Sequence, residues 1–337
     1  MTLGWLLLVA QVLAPRQAPP RQEWQRPRAL RTGDTIAFVA PAGPIAEEPV
    51  LRYAKQLERE GFHVRLPRDL HRSDRYLAGT DDERVTELNE ALRDPSVAAV
   101  FPCRGGFGLT RILDRVDYAA LRAHPKIVTG FSDLTALHLA IAKKARVITF
   151  HSPMPERDLW RQDGDYGLSA SSFHRLLFDD RSNKENRGMV VDVQGERAKP
   201  VKMVGGKARG RLIGGNLTLI CSTLGTPYAI EPSEKILLIE DTREAAYQID
   251  RALSQLRLAG VLDSVAGVVV GHFDRINELQ LLRVLQDYFG HSKVPVIRNF
   301  PFGHQPYNVT LPHGCLVELD ADSCRLRLLE NPVRLAE

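Results

Sequence analysis

The chain has 337 residues, 44% hydrophobic and 26% charged, with 45 Lys and Arg against 41 Asp and Glu. That length favours two domains sharing a cleft, and the composition is that of ordinary globular protein, without extensive disorder. Much of the basic excess lies early, in Arg16, Arg21, Arg26, Arg28 and Arg31, so the remainder is close to neutral and carries no basic footprint for a nucleic-acid partner.

The opening MTLGWLLLVAQVLA has the length of a signal peptide but no Lys or Arg ahead of it, and the following PRQAPPRQEWQRPRA has a linker's composition. Residues 1–30 therefore read as a signal-like segment with a Pro/Arg-rich linker. Two localisations stay open, export to the cell envelope or the cytoplasm with a misassigned start. No later stretch is long and apolar enough for a transmembrane helix.

From Thr35 the pattern turns regular. TIAFVA reads as a buried strand, AEEPVLRYAKQLEREG as a helix stopped by glycine, HVRL as a strand and DDERVTELNEALRD as a helix. AAVFPC is the next strand, followed by the turn RGGFG and a short helix through Leu113; KIVTGF and DLTALHLAIAKKA repeat the strand–helix pair. Such alternation predicts an α/β fold with a mostly parallel sheet, whose ligands gather at the carboxyl ends of the strands. Residues 155–205 are rich in turn formers and read as a connector. A second α/β unit starts at KARGRLIGGNLTLICSTLGTP and continues through the strand KILLIE, a helix with Ile249, Leu253 and Leu256 on one face, the strand AGVVVGHF, the helix LQLLRVLQDYFG and the strand VPVIRNF. From Cys315 the tail alternates like a short hairpin. The expected division is 31–170, a connector over 171–205, and 206–337.

Ser132 follows a strand and Gly130 and opens a helix, the position of a nucleophile elbow whose following N–H groups bind an oxyanion. The same pattern suits a helix cap, and Leu134 replaces the final glycine of G-x-S-x-G. RGGFG, Arg104 to Gly108, can aim backbone N–H groups into a cleft or serve as a plain turn; it lacks the length and Lys of a phosphate-binding loop. A nucleophilic serine needs a base and an acid to orient it. His151, His272 and His304 each follow an apolar strand, and spacing does not choose among them. Glu240 and Asp241 end KILLI, either at the site or as a solvated capping pair, and Gly214–Asn216 is equally open. Cys103, Cys221, Cys315 and Cys324 form no C-x-x-C and suit buried positions, with Cys103 left open as a thiol nucleophile because it precedes the glycine turn. No spacing of the H-E-x-x-H kind calls for a metal.

Taken together, GDTIAFVAPAGPI, RGGFGLTRILDRVDY, GFSDLTALHLAI, GRLIGGNLTLI, LLIEDTREAAYQIDRALSQL and VPVIRNFPFGHQPYNVTLPHG resemble the LD-carboxypeptidase family, in its block order from about Leu30 onward. This family includes murein tetrapeptide carboxypeptidases and microcin C immunity peptidases. The resemblance implies Ser132 as nucleophile, Glu240 as acid and His304 as base, with backbone N–H groups of Gly106 and Asp133 as the oxyanion hole. It further implies an N-terminal sheet like that of glutamine amidotransferases, a C-terminal swivelling β/α domain, a small-peptide (muropeptide) substrate, no cofactor and a homodimer. Arg104 is a candidate for the substrate's terminal carboxylate. Phe107 stands where the family commonly has Tyr, and His151-Ser152-Pro153 where H-G-P is usual. Two other readings remain: an immunity-type peptidase using Trp160 or Tyr166 as an aromatic platform for a base, and a non-catalytic muropeptide binder.

Overall fold

In a computed structural model, which describes residues 23–161, 163–179, 189–191 and 199–335, thirteen strands are found among the described residues. In chain order they are β1 (Thr35–Val39), β2 (His63–Arg65), β3 (Val97–Pro102), β4 (Ile127–Gly130), β5 (Thr149–His151), β6 (Val201–Val204) and β7 (Lys207–Asn216). The rest are β8 (Lys235–Thr242), β9 (Gly267–Asp274), β10 (Val296–Arg298), β11 (Leu311–His313), β12 (Leu316–Asp320) and β13 (Arg325–Leu328). They form two sheets, β11-β5-β4-β3-β1-β2 and β13-β12-β7-β8-β9-β10-β6. Within the first, β2, β1, β3, β4 and β5 are parallel, as crossover helices require; within the second, β7 to β10 are parallel and the flanking strands antiparallel.

The helices follow their apolar periodicity. Glu47–Arg59 buries Val50, Tyr53, Ala54 and Leu57, one stripe at three- and four-residue spacing, each large side chain contributing about 1.5–3 kcal/mol of burial. Asp81–Arg93 begins with a capping box in which Thr80 and Glu83 exchange hydrogen bonds, and Ala246–Leu258 buries Ile249, Leu253 and Leu256. One hydrophobic cluster joins Phe38, Phe101 and Phe150 of the first sheet to Leu212, Leu238 and Val269 of the second through Phe300 and Phe302.

Four expectations change. The connector over 171–205 is interrupted by structure: the helix Gly164–Leu177 runs across its predicted start, burying Phe173, Leu176 and Leu177, and β6 pairs antiparallel with β10. Polar turn formers around that helix hide its apolar face. Glu23–Leu30 is not linker, because Ala29 and Leu30 are buried, Gln25 bridges to Val147, and the Trp24 ring lies 5.7 and 5.3 Å from the Arg146 and Arg211 guanidiniums. The signal-like segment lies outside the described residues. β11, expected in the second domain, instead closes the first sheet, Leu311 opposite His151 and His313 opposite Thr149. The short helix through Leu113 is a pair of 3-10 turns, Leu109–Arg111 and Leu113–Arg115. Among the described residues no helix is long and apolar enough to cross a membrane.

Candidate active site

Ser132 sits between β4 and the helix Leu134–Lys144 with φ +64°, a left-handed conformation that costs a non-glycine residue and recurs at functional turns. The turn is held by Thr135 N–H donating to the Ser132 carbonyl at 2.9 Å. Gly105 presses on it so closely that a Cβ there would lie 3.1 Å from the Ser132 Cβ and 3.4 Å from its Oγ, so a side chain would push the serine by a few tenths of an ångström. Gly106, with φ +108°, follows in the same turn. Two buried side chains brace that turn. Asp133 accepts from Leu109 N–H at 2.9 Å, and Arg84 donates to the Gly108 carbonyl at 3.0 Å. Burial pushes the Asp133 carboxyl up to about 7, against the opposing pull of the Leu109 N–H bond and the Arg84 charge.

The strand β8 carries both carboxylates of the Glu240–Asp241 pair, and its register against β9 shifts between Ile239 and Asp241. Such an irregularity re-aims side chains beside a site. Asp241 turns to Asn216 Nδ2 (2.8 Å) and to the N–H and hydroxyl of Thr218 (2.9 and 2.8 Å), so it is a structural anchor. Burial and the neighbouring Glu240 push its carboxyl up. Glu240, fully buried, turns the other way, its Oε2 2.7 Å from Nδ1 of His304.

His304 lies on the segment between β10 and β11. Gly303 N–H donates to Asn308 Oδ1 at 3.0 Å, the Phe131 ring lies 4.9 Å from the imidazole, and the His304 carbonyl accepts from Arg157 Nη2 at 2.6 Å. Its Nε2 stands 3.1 Å from Ser132 Oγ. A carboxylate accepts, which puts the proton on Nδ1 and leaves the Nε2 lone pair facing the serine hydroxyl. Serine, imidazole and carboxylate from three separate stretches of chain thus form one continuous line.

The other candidates stand apart from this line. His151 is fully buried with neither ring nitrogen hydrogen-bonded, packed against Phe131 and Phe302, and burial holds it well below the ordinary histidine value. His272 lines a separate cavity of about 450 Å³ with Arg275, Arg298 and Gln305. Cys103 is fully buried and burial raises its thiol well above the usual value, so it is no nucleophile at neutral pH. Asn216 caps the helix Leu217–Thr223. Arg104 hydrogen-bonds the Pro44 carbonyl at 2.7 Å and lies 3.7 Å from Glu156. The departures from the family pattern are accommodated: the Ser152 hydroxyl accepts from Gly130 N–H at 3.1 Å, and Phe107 lies edge-on to Tyr76 at 5.7 Å. Sequence reasoning passed over Arg157, which had no motif to mark it. Among the described residues no three His, Cys, Asp or Glu side chains gather as metal ligands.

Two α/β domains meet over a serine–imidazole–carboxylate line of the kind that recurs in hydrolases on unrelated folds. A model of the LD-carboxypeptidase N-terminal domain matches residues 36–152, and one of the C-terminal domain matches residues 209–319. The chain belongs to the LD-carboxypeptidase family. It is 39% identical over 295 residues to the probable murein peptide carboxypeptidase of Bacillus subtilis (86% of this chain, 89% of that protein). It superimposes on the microcin C7 self-immunity protein in complex with aspartyl sulfamoyl adenosine with TM-score 0.84 at 26% identity, covering 92% of this chain and 100% of that one. For the muramoyltetrapeptide carboxypeptidase from Oxalobacter formigenes the TM-score is 0.72 at 29% identity, covering 87% and 97%.

Proposed function

We propose that the protein is a serine-type LD-carboxypeptidase that releases terminal D-alanine from murein tetrapeptide by hydrolysing its amide to an L-configured centre. The observation that carries this reading is the hydrogen-bonded line Ser132–His304–Glu240. Ser132 attacks the amide carbonyl while His304 takes its proton; Glu240 holds the imidazole tautomer and stabilises the imidazolium. The oxyanion is received by the N–H groups of Gly106 and Asp133. His304 returns its proton to the departing amine, and water then attacks the acyl-serine with His304 again as base.

The fold's similarity to the immunity protein keeps the adenylate-cleaving reading in view. Against it, the rings a base would stack on already carry guanidiniums: Arg161 covers Tyr166 at 3.7 Å, and Arg52 lies over Trp160 at 4.8 Å. The test is incubation with the tetrapeptide, the pentapeptide, an all-L isomer and an aspartyl-adenylate conjugate, with products identified by mass. D-Alanine from the tetrapeptide, absent with Ser132→Ala, supports the proposal; cleavage of the conjugate alone moves the protein to the immunity class.

A further inference from the structure

A carboxypeptidase must tell a terminal carboxylate from a continuing chain, and the cation that does so has to stand where the leaving residue lies. On the serine mechanism proposed above, on which this inference rests, His304 Nε2 reaches the departing amide nitrogen. The carboxylate carbon follows that nitrogen by two bonds, roughly 2.5 Å away. The receptor therefore belongs on the imidazole's side of the cleft, beside the base rather than beside the oxyanion hole.

We propose that Arg157 is this receptor, binding the carboxylate of the residue that leaves. It lies in a one-turn π-helix, Pro155–Leu159, that follows β5, an irregularity often found at functional sites. Its guanidinium is fastened to the backbone of the base and stands beside the nucleophile's turn: Nη2 donates to the His304 carbonyl at 2.6 Å, and Cζ lies 5.9 Å from the ring of Phe131, the residue before Ser132. The side chain remains 41% exposed, so the charge is open to an incoming ligand. Its nearest carboxylate, Asp158, approaches Nε only to 3.4 Å without a hydrogen bond, and burial pushes that carboxyl up to about 7, weakening its hold on the cation. With one N–H engaged by His304, the planar fork retains donors that a carboxylate can bridge bidentately. Arg104, by contrast, belongs to the glycine turn on the oxyanion side and is tied to Pro44 and Glu156.

The test compares the tetrapeptide with its C-terminal amide across wild type, Arg157→Gln, Arg157→Lys and Arg104→Gln. The amide is the internal control, because loosening His304 slows both substrates alike whereas losing a carboxylate receptor slows only the acid. Arg157→Gln should lower kcat/KM on the acid by about 10²-fold, mostly through KM, and bring the acid-to-amide ratio towards one. Arg157→Lys should restore part of the preference, and Arg104→Gln should keep it. Labelling of Ser132 by a fluorophosphonate, expected within a few-fold of wild type in Arg157→Lys, reports the triad separately. Retained acid preference in Arg157→Gln, or its collapse in Arg104→Gln, overturns this assignment alone. A wild-type protein that labels at Ser132 yet frees no terminal residue from any peptide overturns the carboxypeptidase reading and this inference with it.

Discussion

Replacing Glu240 by glutamine tests the charge in the triad with little change of shape. Glu240 is fully buried and its Oε2 lies 2.7 Å from His304 Nδ1. In the proposed mechanism the carboxylate orients the ring before attack and, once the imidazole takes the Ser132 proton, stabilises the resulting cation away from water. Removing one member of a buried charge pair costs about 3–5 kcal/mol, and each 1.36 kcal/mol on the barrier is roughly tenfold. Glu240→Gln should therefore lower kcat by about 10²–10⁴ and leave KM within a few-fold. The amide matches the carboxylate in volume, so the thermal midpoint should change little. The assay is D-alanine release under saturating tetrapeptide, alongside a melting curve. A fall of less than tenfold in a folded variant would show that the buried charge does not stabilise the transition state.

Three further outcomes are expected. Gly303→Ala should reduce kcat by more than tenfold and lower Tm, because Gly303 has φ +114° and its Cβ would lie 2.9 Å from Glu240 Oε2 and 3.0 Å from Glu240 Cβ; wild-type values in both measurements would sink that reading. Asp158, held by burial at about 7, binds its proton more tightly folded than unfolded, so its contribution is fully present below about pH 4 and lost as pH rises through 7. Asp158→Asn should flatten the fall of Tm between those limits, and an unchanged slope would contradict it. Hydrolysis should persist through exhaustive chelation; loss with EDTA and recovery with Zn²⁺ would replace the serine mechanism by a metal-dependent one.

Much of the architecture is written in local pattern. The parallel strands, the amphipathic helices and the strand–glycine–serine–helix junction at Ser132 all depend on neighbours within a turn or two, which is the range over which periodicity speaks. What escaped depends on distant partners. Leu311–His313 carries nothing to say that it pairs with β5 rather than with the strands next to it in sequence, and Glu23–Leu30 has a linker's composition although Trp24 and Leu30 anchor it. Spacing left His151, His272 and His304 equivalent. Resemblance favoured His304, and the geometry separates them, since His151 is sealed among phenylalanines while His304 spans from Ser132 to Glu240. Arg157 was invisible because its place by His304 comes from a contact across 147 positions of chain.

The return of β11 to the first sheet has a consequence during synthesis. The five parallel strands of that sheet leave the ribosome early, yet the edge beside β5 stays uncovered until residues 311–313 emerge. At 5–20 residues per second the interval is on the order of ten seconds. For that period the nascent chain exposes a sheet edge prone to wrong pairing, while Ser132 lacks the imidazole of His304 until just before the edge closes. The Ser132–His304 contact and the closing of the exposed edge therefore arrive together, and a chain stopped before residue 304 has neither.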